Sequence, residues 1–132
     1  MKYLYSFFTF MCFAAILSAQ TTINVTFSVD MSSEIVSSDG VHIGGSFQGW
    51  DLTELADDDM DGVYTLSIDV AAPALLEFKF INGNSWDFVE DVPDACQVEV
   101  SGNDNRFLYI TGEVGAIEYG VCYENCAACG MS

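Results

Sequence analysis

Both tryptophans of this chain, Trp50 and Trp86, follow short polar runs rich in glycine and amides, Gly45-Ser46-Phe47-Gln48-Gly49 and Ile81-Asn82-Gly83-Asn84-Ser85. An indole presented by such a loop can stack on the apolar face of a sugar ring while neighbouring amides and charges bind its hydroxyls. One tryptophan alone serves as readily as a core anchor; two in like settings point to a surface. A second constellation is Asp57-Asp58-Asp59-Met60-Asp61-Gly62, which contains D-x-D-x-D-G, the opening of a calcium loop. Carboxylates two residues apart converge on one cation, and the glycine allows the sharp turn between them. Asp57, Asp59 and Asp61 are the side-chain ligands this spacing predicts, although Ile68 stands where the closing glutamate of a twelve-residue loop belongs. Aspartate and glycine equally favour a plain hairpin turn. Both readings stand, with Ca2+ as the one ion the sequence accommodates and no cofactor required.

Cys96, Cys122, Cys126 and Cys129 form a third group. Four thiolates suffice for a structural zinc site, and the C-x-x-x-C-x-x-C spacing of the last three matches an iron–sulfur ligand run. In a small exported domain, however, an even number of cysteines favours disulfides. We therefore expect two, one of them tying the region of Cys96 to the C-terminal segment, with the pairing open among three connectivities. A catalytic set is not evident. His42, the single histidine, falls on the outward side of a short strand and reads as a solvated side chain. The carboxylates lie in turns, and no G-x-S-x-G, P-loop or H-E-x-x-H occurs. The sequence predicts a protein that is not an enzyme.

Export is read from residues 1–19, where Lys2 precedes an apolar run from Tyr3 to Leu17, broken by Ser6 and Thr9, and Ser18-Ala19 precede Gln20. Charged start, apolar stretch and small residues at the cut are the order of a secretory signal. The run is shorter than the roughly 20 residues of a membrane span. The domain expectation is a signal peptide over 1–19 and a single secreted module over 20–132. The 132-residue chain has 20 acidic against 3 basic residues and a net charge of −17, and beyond the leader only Lys79 and Arg106 are cationic. Such a surface repels phosphate backbones and anionic lipid, which excludes nucleic acid and, after cleavage, a membrane as partners. Oligomeric state is not legible.

The elements that must hold these residues are strands. Thr22 to Asp30 alternates strictly, with Ile23, Val25, Phe27 and Val29 on one face. Val41 to Phe47 continues the pattern, with Gly44-Gly45 marking a bulge or a close backbone approach. Tyr64 to Val70 and Leu75 to Ile81, joined by a turn at Ala71 to Ala74, read as a strand pair with Leu76, Phe78 and Phe80 inward and Lys79 outward. Shorter candidates are Gln97 to Val100, Arg106 to Ile110 and Ala116 to Tyr123. With no amphipathic helical stripe, the class is an all-β antiparallel β-sandwich.

Four of these segments, in order, carry a family resemblance. GVHIGGSFQGW (Gly40 to Trp50), DGVYTLSIDV, EFKFINGNSWDF and Asn105-Arg106-Phe107 are similar to the loop, strand and N-R motifs of starch- and glycogen-binding modules. Those modules include the starch-binding domain of glucoamylase and the glycogen-binding domain of the AMP-activated kinase β subunit. The resemblance spans about Ile23 to Ile110. It implies an immunoglobulin-like sandwich of about seven strands and non-catalytic binding of α-glucan. It also implies that Trp50 and Trp86 are stacking platforms, that Lys79 binds a sugar hydroxyl and that Asn105 supplies an amide. The chain departs from the family in the segment Asp87 to Asp104, which separates the last tryptophan from the N-R pair and contains Cys96. The alternative to glucan binding is a structural or adhesive extracellular module stabilised by disulfides and calcium.

Overall fold

The computed structural model describes residues 12, 20–98, 103–113 and 115–130. The expected signal segment, Cys12 apart, lies outside them. Seven strands form two sheets: β1 (Thr21–Asp30), β2 (Val41–Gly45), β3 (Leu52–Leu55), β4 (Val63–Ala72), β5 (Ala74–Asn82), β6 (Arg106–Ile110) and β7 (Ala116–Cys122). One sheet has the order β4-β1-β7 and the other β3-β2-β5-β6. The alternation of β1 is realised in full, since Ile23, Val25, Phe27 and Val29 are all wholly buried. They face Val41, Ile43, Leu76, Phe78 and Phe80 in one apolar core. Phe27 packs edge-on to Phe78 at 4.8 Å, and Tyr119 meets Phe78 edge-on at 5.0 Å. Full burial of each such side chain contributes about 1.5–3 kcal/mol, and this two-layer core holds the sheets face to face.

Three features differ from the sequence expectation. β1 and β7 pair in parallel, from Asn24 with Ala116 to Asp30 with Cys122, so the sandwich is antiparallel elsewhere but not there. The segments read as a hairpin, β4 and β5, do not pair with each other. β4 joins β1 and β5 joins β2 and β6, with Pro73 between them. Proline has no N–H for a ladder, and both strands carry an apolar face that is buried from opposite sides of the core. Finally, β3 was not expected, because Leu52-Thr53-Glu54-Leu55 is too short to alternate visibly. Of Gln97 to Val100, residues 99–100 lie outside the described set and Gln97 makes only an isolated bridge to Arg106.

Inward-pointing Phe78 and Phe80 leave Glu77, Lys79 and Ile81 on the outer face of β5. There Lys79 stands opposite Gly44 of β2 and Ile81 opposite His42. This outer face is where the aromatic loops meet.

Candidate functional site

Trp50 is delivered by a tight turn. The chain leaves β2 through a 3₁₀ turn, Ser46–Gln48, and reverses at Gly49 and Trp50, whose φ values are 64° and 66°. A left-handed conformation costs glycine nothing but is an outlier for a bulky side chain. It persists because the turn is tied on several sides. Trp50 N–H donates to the Gly45 carbonyl at 2.9 Å, and Gln48 Nε2 donates to the Ile43 carbonyl and to Thr53 Oγ1, each at 3.0 Å. Strain of this kind collects where a side chain must be aimed.

Trp86 comes from the other side, at the start of the 3₁₀ turn Trp86–Phe88, where Ser85 Oγ accepts from Asp87 N–H. Its indole lies on Gly44. A Cβ there would sit 2.6 Å from Trp86 Cη2, so only glycine lets the ring settle on the sheet. The expectation of a close approach at Gly44-Gly45 is thus met by an aromatic ring. The two indoles are 6.0 Å apart between centroids and tilted by 51°. Trp86 is 39 % exposed.

Between and beside the rings, Lys79, Val89, Asn103, Asp104 and Asn105 complete a cleft of about 470 Å³. Trp50, Lys79, Trp86 and Asn105 therefore occupy one place. Lys79 is on the outward face, as the alternation requires, but it is buried, at 7 % exposure, instead of open to solvent. Its Nζ is 2.7 Å from Asp104 Oδ2. That bond holds the Asp104 carboxyl below the usual carboxylate range. Asp104 and Asn103 escaped the sequence reading. The signal available was that the one lysine beyond the leader faces a chain with a large acid excess, so a carboxylate partner was to be expected.

Of the segment that separates Trp86 from Asn105, the described residues Val89, Asn103 and Asp104 line the cleft, and a buried ion pair anchors it. Arg106 and Glu90 are both fully buried. Arg106 Nε and a terminal guanidinium nitrogen each donate to Glu90 at 2.7 Å, while the other nitrogen donates to the Asn125 carbonyl at 2.8 Å. Glu90 Oε1 also accepts from Phe80 N–H. Guanidinium fork and carboxylate thus fasten the insertion, β5, β6 and the C-terminal loop at one point, adjacent to Asn105. The disulfides reinforce it. Cys96 pairs with Cys126, the link expected between insertion and C-terminal segment, and Cys122 pairs with Cys129.

The aspartate loop lies between β3 and β4 and shares no lining residue with the tryptophan cleft. Asp57, Asp59 and Asp61 each place a carboxylate oxygen within 4.8 Å of the others. The loop is also closed by its own backbone: Asp57 accepts from Asp61 and Gly62 N–H, and Asp61 Oδ1 from Val63 N–H at 2.8 Å. Partial desolvation and the neighbouring Asp61 push the Asp59 carboxyl up, while the Val63 N–H draws Asp61 down. His42, expected to be solvated, is buried between Glu54 and Ile81 with Nδ1 unpartnered. The outer face at that point is covered, and the strand pattern alone could not show this.

No family model matches the chain, and comparison with curated proteins gives no match. Solved structures do resemble it. A glycoside hydrolase family 15 glucoamylase from Hypocrea jecorina matches with 15 % identity and a TM-score of 0.54 over 80 % of this chain and 18 % of that one. The gamma-CGTase of alkalophilic Bacillus clarkii matches with 18 % identity and a TM-score of 0.51 over 79 % of this chain and 15 % of that one. The family 20 CBM of a maltotetraose-forming amylase from Pseudomonas saccharophila aligns along its whole length with 75 % of this chain, at 16 % identity and a TM-score of 0.47. The chain spans less than a fifth of the two enzymes. What it shares with them is the β-sandwich fold.

Proposed function

We propose that the protein is a secreted, non-catalytic carbohydrate-binding module that holds α-1,4-linked glucan in the cleft of Trp50, Trp86, Lys79 and Asn105. The observation that carries this reading is the convergence of both tryptophans, a lysine–aspartate pair and two asparagine amides from three separate chain segments. Indole faces take the apolar faces of sugar rings, and the polar groups offer donors and acceptors to the hydroxyls. The 51° tilt favours a coiled chain. Two rings so inclined cannot both lie along a flat β-1,4 ribbon, whereas successive units of an α-1,4 chain turn relative to one another. Similar solved structures are a glucoamylase and a CGTase, which supports the same substrate class. Two disulfides support an oxidising, extracytoplasmic setting.

Affinity electrophoresis in gels containing soluble starch tests the reading. The native chain is expected to be retarded, and Trp50→Ala with Trp86→Ala to run as in a starch-free gel. Unchanged mobility of the native chain, or retardation that survives both substitutions, contradicts it. The second reading, a structural module with a calcium-set turn, draws on the convergence of Asp57, Asp59 and Asp61.

A further inference from the structure

The outer face of β5 and β6 does not end at the cleft. In register, Glu77 stands opposite Phe107 and Leu75 opposite Tyr109, one and two steps below the level of Lys79 and Asn105. These rows point away from the core, since the alternating partners Leu76, Phe78 and Arg106 are buried inside. Leu75, Phe107 and Tyr109 are 46 %, 42 % and 63 % exposed. β6 is the edge strand of its sheet, and among the described residues its far side is met by the bridge of Gln97 to Arg106 and the bond from Val98 N–H to the Asn105 carbonyl. From Asn105 to Tyr109 the strand extends about 13 Å, at roughly 3.3 Å per residue. A contiguous exposed apolar row next to a cleft marks a candidate binding surface.

We propose that Phe107 and Tyr109, with Leu75, form an extended subsite along which a longer α-glucan continues out of the tryptophan cleft; this rests on the glucan reading of that cleft. Continuity is the first argument, because Phe107 follows Asn105 by two residues on the same face of the sheet, with no element between them among the described residues. Charge is the second. The chain carries −17, so a second copy or any polyanion approaches this face against repulsion, whereas a neutral polymer does not. Size is the third: three side chains fall far short of the roughly 1,000 Å² that a stable protein interface buries. Two aromatic rings, Phe107 and Tyr109, set two residues apart on one face of a strand suit a polymer of repeating units with one apolar face each.

The experiment is isothermal titration of maltotriose and maltoheptaose into the native chain and into Phe107→Thr with Tyr109→Thr. Threonine keeps the strand propensity of both exposed positions, and circular dichroism verifies the fold. The substitutions are expected to weaken maltoheptaose at least fivefold and to leave maltotriose within twofold. Equal effects on both sugars, or no effect on maltoheptaose, overturns the subsite while leaving the cleft intact. If the native chain binds neither sugar, the glucan reading itself fails, and the subsite with it. Sedimentation velocity on the same samples adds one more outcome: a native dimer made monomeric by the substitutions would assign the strip to a second copy and overturn the proposal.

Discussion

At Lys79 the cleft holds a charge that is already answered. Its ammonium is buried, and Asp104, at 2.7 Å, is 65 % exposed at its side chain. The pair therefore presents oriented donors and acceptors to a neutral ligand, with little net field. Because Lys79 lowers the Asp104 pKa, the interaction is present above the ordinary carboxylate value and is lost as pH falls through the folded value. With the carboxyl so exposed, the effect on stability is small, and affinity is the sensitive readout. We expect affinity for maltoheptaose to be flat from about pH 5 to 8 and to fall below about pH 4. Asp104→Asn should bind several-fold more weakly at neutral pH and lose that acid limb. Titrations across this range decide it, and an identical limb in both proteins would remove Asp104 from the site. Sequence showed Lys79 and Asn105 through strand alternation and family motif. It could not show Asp104, whose role depends on how an irregular segment folds back.

At the scale of elements, the insertion between Trp86 and β6 owes its placement to Glu90 and Arg106. Removing one partner of a buried pair leaves an uncompensated charge, which costs about 3–5 kcal/mol. Arg106→Met should lower the denaturant midpoint accordingly, while Arg106→Met with Glu90→Leu should recover a good part of the loss. Equal losses in the single and double variants would show that the pair is not the anchor. The loop between β3 and β4 supplies a separate test. If Asp57, Asp59 and Asp61 take up calcium, their affinity should be that of an extracellular module, about 10⁻⁴ to 10⁻³ M. Millimolar calcium then raises the melting temperature of the native chain and not of Asp59→Asn; equal curves leave a turn closed by its own N–H groups. The strands themselves were largely readable. β1, β5 and β6 follow period-two patterns that burial enforces. β3 and the parallel β1–β7 pairing were hidden, since a four-residue edge strand has no period to read and strand direction leaves no mark on composition.

For the molecule as a whole, the acid excess and the aromatic cleft separate two jobs. The net charge of −17 repels phosphate polymers on physical grounds, while the lysine–aspartate pair leaves the cleft locally balanced, as the proposed uncharged ligand requires. Both tryptophans of the protein lie in that cleft, so tryptophan emission, excited selectively over its tyrosines, reports on the cleft. The most direct measurement is therefore tryptophan emission of the native chain during titration with maltoheptaose, with cellohexaose as the β-linked control, at low and high salt. Glucan binding in the cleft predicts a saturable change with maltoheptaose that is insensitive to salt and absent with cellohexaose. Emission that stays constant to millimolar maltoheptaose, or that responds equally to cellohexaose, would contradict it.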